Sequence, residues 1–499
     1  MTVKTQHREY IAMSDKWMRC RTVACGQDAV HGAGAMFLPK LVDQSTTEYD
    51  AYRQRATFYN ATWRTIAGLQ GMLFRKPSIV TLPPVVQTLV EDVNMSGESL
   101  HMFAMESVEE CLMTGRYGVF VDYPMVDLAN TTAADAIALN LRPLLKGYKA
   151  ESIINWKAGV VKNAVVLTMI VLTEETEVPV DEFKTMCKTQ YRVLDLAPMS
   201  NQDGSIGPVM YRVRVFEIND KDDSDMLISE TFPIINGVYL DFIPFYFVGA
   251  DSVSWDTDEP PLIDLVDLNL SHYRTNADYE HGCHFTGLPT PIISGYTAVN
   301  ADEKFYIGST SAWVFPRADA SATFLEFKGQ GLSALKDNLD RKETQMAVLG
   351  ARMLEGQQNR GASENTTTLN LGGEQSTLSA MSECVSIGLE RALTTFALFA
   401  GVKGAPVKYR LNKDFFPMPM TALTLTALVA SWQNGAISYE TLFANLQRGE
   451  VVDIDKTVAN ELAKMDLYKA PIPAGTKVNQ TNTGGQETTM PTQRQLQTP

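Results

Sequence analysis

The side chains best equipped for chemistry lie close together on one stretch. His281, Cys283 and His284 follow one another, with His272 earlier on the same segment. Imidazole and thiolate are zinc ligands. On a helix, however, His281 and His284 share a face while Cys283 points away, and His272 lies more than two turns back. The spacing predicts packed or interfacial side chains near a helix end rather than a metal centre. Asp256, Asp258 and Glu259 form a second cluster. Three carboxylates can hold a divalent ion, but acidic bias ahead of a helix N-terminus accounts for them equally simply. No Gly-Lys dipeptide occurs, so there is no P-loop. Gly32-Ala33-Gly34 begins like a dinucleotide fingerprint but lacks the third glycine and a preceding strand. Neither a GxSxG elbow nor an HExxH pair is present. The sequence therefore predicts no catalytic residue, no cofactor and no metal.

The elements that carry these residues follow from periodicity and punctuation. Residues 46–73 read as one long helix, with Tyr49, Tyr52, Ala56, Tyr59, Trp63, Ile66 and Leu73 on one stripe interrupted at Gln70. Pro77 forbids its continuation, and Pro83-Pro84 begin a linker. A helix at 100–114 stops at Gly115. Strand-rich runs follow at 119–121, 165–172, 211–216 and 238–247, separated by turn residues, with Asp220 to Asp225 as a solvated loop. Pro260-Pro261 introduces a helix over 262–285. A compact strand-like segment spans 292–327. A helix over 332–355 carries Leu332, Leu335, Leu339, Met346, Leu349 and Met353 on a seven-residue pattern that Lys342 breaks. A polar Gly/Asn/Thr stretch at 356–373 precedes a helix at 374–400. Residues 405–418 read as extended. Short helices at about 420–434, 439–448 and 455–466 come next, the first two closed by Gly435 and Gly449. From Pro471 the composition is that of a disordered tail.

Composition sets the outer limits. The 499 residues carry a formal net charge of −15, with a sequence pI of about 5.0. A protein that grips nucleic acid does so with Lys and Arg on phosphates, so an acidic chain surrounds DNA, if it meets DNA at all, without clamping it. The six cysteines at 20, 25, 111, 187, 283 and 384 contain no CxxC pair and read as reduced thiols. The N-terminus, with His7, Arg8, Glu9 and Lys16, has no apolar signal region. No run of 18 apolar residues occurs, and the nearest, after Phe415, is interrupted by Pro417, Pro419, Gln433 and Asn434. No membrane association is expected.

Several strings, in order over residues 49–449, resemble the bacteriophage portal family formerly filed as a domain of unknown function. They are YDAYRQRATFYNATWRTIAGLQGMLFRKP (49–77), GVFVDYP (118–124), IINW (153–156), PPLIDLVDLNLSHYRTNADYEHGCHFTGLPTPIISG (260–295), FKGQGLSALKDNLDRKETQMAVLGARMLE (327–355) and NGAISYETLFANLQRG (434–449). The resemblance implies a mixed α+β portal fold with an α/β wing, a two-helix stem, a small α/β clip and a helical crown. Laid over the chain, residues 1–255 correspond to the wing, 256–285 to a stem helix and 286–330 to the clip. Residues 331–355 correspond to the second stem helix, 356–373 to a tunnel loop, 374–419 to the returning wing, 420–470 to the crown and 471–499 to the tail.

The resemblance further implies a non-enzymatic ring subunit, a dodecamer at the capsid vertex of the virion, assembled in the host cytoplasm. Such a ring forms the channel for packaging and ejection of double-stranded DNA. It docks the large terminase subunit and then a head–tail adaptor, and meets the major capsid and scaffolding proteins. Gln357, Gln358, Asn359, Arg360, Asn365, Thr366 and Thr367 correspond to the tunnel loop facing DNA. Leu262, Leu265, Tyr273, Leu335, Leu339, Met346 and Leu349 correspond to the packing face of the stem. With so little positive charge on the loop, a steric, valve-like contact with DNA is expected. Two other readings compete: a different head–tail structural protein, such as an adaptor or minor capsid protein, and a metal-dependent phage hydrolase built on the histidine cluster.

Overall fold

A computed structural model describes residues 2–124, 138–200, 206–219, 222–235, 237–286, 290–295, 305, 313–315, 320–325, 330–352, 377–415, 420, 422–453 and 456–467. The chain divides into two compact units, Met1–Phe415 and Phe416–Pro499. The fold is mixed α+β.

The first unit opens with helices α1 (Arg8–Cys25), α2 (Gln27–Ala33), α3 (Thr46–Arg55) and α4 (Ala61–Leu73). The single helix expected over 46–73 is two helices. Carboxamide side chains explain the break, because they bind the peptide groups that a continuous helix would use. Gln27 Oε1 accepts from the Phe58 amide, Asn276 Nδ2 donates to the Thr57 carbonyl, and Asn269 Nδ2 donates to the Tyr59 carbonyl. Asn60 then caps α4, its Oδ1 accepting from the Trp63 amide. A reciprocal Ser45–Glu48 capping box starts α3.

Strand β1 (Ile79–Thr81) and the short helix α5 (Pro84–Leu89) lead to α6 (Leu100–Thr114), which ends where the sequence places its stop. Gly115 adopts φ +75° and donates to the Cys111 carbonyl. A Cβ there would lie 2.8 Å from the Glu259 carbonyl oxygen, so both the backbone twist and the close approach require glycine.

Strand β2 (Arg116–Asp122) is buried along nearly its whole length. It is the centre of a three-stranded sheet with β3 (Leu144–Lys149) on one side and a later strand on the other. Side chains on both of its faces are buried, which is why it reads as a continuous apolar run rather than an alternating one. It also holds a buried cation. The Arg116 guanidinium lies 4.1 Å from the Trp156 ring and 4.4 Å from the Phe247 ring, and donates to the Trp255 carbonyl. Burial pulls its pKa down to about 9.

A five-stranded antiparallel meander follows: β4 (Ile153–Val161), β5 (Ala164–Pro179), β6 (Thr185–Ser200), β7 (Ile206–Ile218) and β8 (Asp225–Thr231). The single run expected at 238–247 is broken. Strands β9 (Ile234–Ile235) and β10 (Val238–Tyr239) form a small hairpin, and β11 (Phe245–Gly249) pairs with β2. Pro244 lies between the two segments, and its carbonyl accepts from the Val121 amide.

Helix α7 (Ile263–Thr286), strands β12 (Thr290–Ser294) and β13 (Ser321–Leu325), helix α8 (Gln330–Arg352) and helix α9 (Thr377–Phe399) complete the main path. Helix α9 is buried on most sides and crosses the three-stranded sheet, with Gly388 against Val248. Strand β14 (Lys408–Arg410) pairs with β1; among the described residues of the stretch expected to be extended at 405–418 it is the one strand.

The second unit holds α10 (Ala422–Gln433), α11 (Tyr439–Arg448) and α12 (Val458–Leu467). Leu442 and Phe443 of α11 are buried, whereas α10 has no buried residue.

Candidate functional site: a helix pair and its hairpin

Helices α7 and α8 form an antiparallel pair. Leu332 lies against Gly282 at one end, whereas Lys342 and Glu343 meet Ser271, Thr275 and His272 further along. The chain between the two helices contains the β12–β13 hairpin, paired from Thr290↔Leu325 to Ser294↔Ser321. Pro260 and Leu262 start α7, their carbonyls accepting from the Ile263 and Val266 amides.

The first half of α7 is buried and the second half is not. Leu262, Leu265, Val266, Leu270, Tyr273 and Ala277 are buried, and beyond Ala277 no residue of the helix is. Polar contacts fix the buried half and its end. Asn269 Oδ1 accepts from the Thr62 amide and hydroxyl, Arg19 pairs with Asp267, and the Tyr52 hydroxyl donates to Asp278. Burial and the Asp278 carboxylate both push the Tyr52 hydroxyl's pKa well above its usual value. On α8, Leu339 and Met346 are buried, and Leu335 and Leu349 are half-buried.

The sequence marks Lys342 as a break in the apolar stripe, yet it lies in the seam between the two helices. It is 9% exposed, and its ammonium donates to the Ser271 carbonyl at 2.9 Å and the Thr275 hydroxyl at 2.6 Å. Burial lowers its pKa. His272, 3% exposed, meets Glu343 at 3.4 Å. Burial lowers the imidazole pKa, and the Glu343 carboxylate works against that shift.

The other histidines do not converge with it. His281 stands beside Arg55 at 3.4 Å and edge-on to Tyr52 and Phe285. His284 is exposed and Cys283 half-buried. Among the described residues no group of three or more His, Cys, Asp or Glu side chains is placed to hold a metal ion. The acidic cluster has internal partners. Asp258 accepts from the amides of Asp251 and Ser252 and from the Ser252 hydroxyl, and so latches the loop ahead of α7; Glu259 pairs with Lys16. The loop residues Gln357, Gln358, Asn359, Arg360, Asn365, Thr366 and Thr367 lie outside the described residues.

A family described as a domain of unknown function (DUF4055) matches residues 261–400, the stretch from α7 to the end of α9 and well under half of the chain. No curated protein matches. Several chains of gene transfer agent (GTA) particles are similar among solved structures. One, from the neck of an empty particle computed with C6 symmetry, has 10% identity and a TM-score of 0.36 over 79% of this chain and 92% of that chain. A second, from the virion of a native particle, has 11% identity and a TM-score of 0.38 over 85% and 98%. A third, from the neck of a native particle computed with C12 symmetry, has 10% identity and a TM-score of 0.37 over 83% and 98%. No helix among the described residues is long and apolar enough to cross a membrane.

Proposed function

We propose that this chain is a phage portal subunit, a non-enzymatic ring component whose helix pair lines and supports a channel for double-stranded DNA. The observation that carries the reading is the order helix, short hairpin, antiparallel helix over 263–352, which is the order stem, clip, stem that the family resemblance implies. Helices α1, α3 and α4 pack on α7, whose first half is buried, whereas its second half and the described hairpin residues are half-buried or exposed. That suits a body which packs in a ring while its stem and clip project toward docking proteins. On this reading the hairpin receives the terminase during packaging and the adaptor afterwards. A net charge of −15 leaves the duplex free to move.

Electron microscopy of the purified chain, with particle mass measured alongside, tests the proposal. Rings of about twelve subunits with a central hole are the expected result. A uniform monomer or dimer at micromolar concentration that scaffolding protein fails to convert into rings refutes it.

A further inference from the structure

A narrow stripe of side chains holds α8 to α7. Among the described residues of α8 only Leu339, Lys342 and Met346 are buried, with Leu335 and Leu349 half-buried beyond them. The middle member of that stripe is a cation. Its ammonium rests on two uncharged groups of α7, the Ser271 carbonyl and the Thr275 hydroxyl. His272 follows Ser271 in the chain and is 3% exposed.

The two ring nitrogens of His272 are placed differently. Nε2 meets the Glu343 carboxylate at 3.4 Å, a long contact, and the Glu343 side chain is 54% exposed. Nδ1 is buried and has no hydrogen-bond partner among the described residues. A neutral imidazole fits this arrangement, with its N–H on Nε2 toward Glu343 and the lone pair of Nδ1 left bare. An imidazolium does not. Its second N–H would be a charged donor buried without an acceptor, beside the Lys342 ammonium.

The neighbouring elements do not compensate. From α8 come Lys342 and Glu343. From the link between α3 and α4 comes the Tyr59 ring, centred 6.0 Å away, and Arg64 of α4 stands 5.8 Å from that ring. Contacts from α1 and α3 fall elsewhere along α7, Arg19 on Asp267 and the Tyr52 hydroxyl on Asp278. A proton on His272 thus turns a seam with one cation and one carboxylate into a seam with two cations and the same carboxylate.

We propose that the α7–α8 seam is a proton-operated latch, closed over neutral His272 and released along the middle of α8 when the imidazole takes up a second ring proton. Release opens both ring nitrogens to water, where each N–H finds an acceptor. The open seam binds the proton as a free histidine does, near pH 6.5, and the closed seam binds it more weakly. Acid therefore favours the open seam, and the latch is closed above that pH and loosens below it. The seam lies within one chain, so the latch stands or falls apart from the ring reading.

Hydrogen–deuterium exchange of the full-length chain tests this, read by mass spectrometry at about pH 7.5 and about pH 5.5, on either side of the free-imidazole value. Labelling times are scaled to the intrinsic exchange rate at each pH. Peptides covering 335–349 of α8 should exchange roughly threefold faster or more at the lower pH, while peptides of α6 and α9 should not change. His272→Gln should abolish the difference. Glu343→Gln, at an exposed position, should leave exchange at the higher pH unchanged and enlarge the rise at the lower one, because it removes the carboxylate that favours the imidazolium in the closed seam. Packing alone would not give these opposite effects. Wild-type α8 exchanging equally at both pH values, a rise that survives in His272→Gln, or a smaller rise in Glu343→Gln than in wild type would overturn the latch. Should His272→Gln already loosen α8 at the higher pH, Glu343→Gln decides alone.

Discussion

Lys342 sits in an apolar seam with two protein partners, and each partner remains satisfied without it. The Thr275 hydroxyl already donates to the Ser271 carbonyl, so Lys342→Met keeps the stem's volume and strands no buried donor. Because desolvating an ammonium costs about as much as its contacts return, the variant should unfold within about 1 kcal/mol of wild type or be more stable. Equilibrium denaturation measures this, and a loss of several kcal/mol would mean that the ammonium does more than close the seam. His272 behaves differently. Burial depresses its pKa, so between that value and the free-histidine value near 6.5 the unfolded chain binds the extra proton. Its contribution to stability is complete above the unfolded pKa and is lost as pH falls through the folded one. His272→Gln should therefore flatten the decline in melting temperature between pH 7 and 5, and an unchanged slope would assign the decline to other groups, among them His7 and His281, whose pKa values burial also lowers.

At the scale of elements, the glycine after α6 joins two parts of the fold. Gly115 ends the helix with φ +75° and lets the Asp258–Glu259 backbone pass against it. Gly115→Ala adds left-handed strain and a clash with main-chain atoms, which cannot swing aside. The expected loss is roughly 2–4 kcal/mol by thermal or chemical unfolding, and near-wild-type stability would mean that the loop ahead of α7 moves freely. Such punctuation was legible in the sequence. Gly115, Pro260-Pro261, Gly435 and Gly449 each mark a boundary that the structure keeps, because local backbone rules decide them. The break between α3 and α4 was not legible. The stripe from Tyr49 to Leu73 carries a helical period, and only the folded chain brings Asn269 and Asn276 of α7 against residues 57–59. Tyr59 and Trp63, read as part of that stripe, are instead 45% and 39% exposed. Gln70, read as a gap in it, reaches the Met105 carbonyl. Helix α1 escaped notice because few of its side chains are buried: Trp17, Cys20, Val23 and Ala24. The ribbon of β5 and β6 was hidden by composition, since its Glu, Thr and Lys residues read as loop while its strand pairing is set by a partner strand and not by burial.

For the whole molecule, charge decides what kind of DNA contact is possible. Non-specific binding to duplex DNA grows with the number of phosphates neutralised by Lys and Arg, and weakens steeply as salt rises. This chain carries 43 Lys and Arg against 58 Asp and Glu. Many of the exposed cations of the described residues are already engaged, among them Lys4 with Asp223, Lys162 with Asp241 and Lys413 with Glu383. On the proposed reading, a ring of such subunits presents a net negative charge to a duplex, which would lower friction during transport and give no hold. The assembled chain should therefore show no saturable binding to a short blunt duplex by fluorescence anisotropy at physiological salt up to about 100 µM, weaker than the usual non-specific range. It should bind no better at low salt than a neutral protein of its size. Micromolar binding that collapses with added salt would mean that residues outside the described set form a basic lining, and the channel would then be a clamp. Weak, salt-insensitive interaction leaves only steric contact, the behaviour expected of a conduit whose grip on DNA is supplied by the proteins that dock on it.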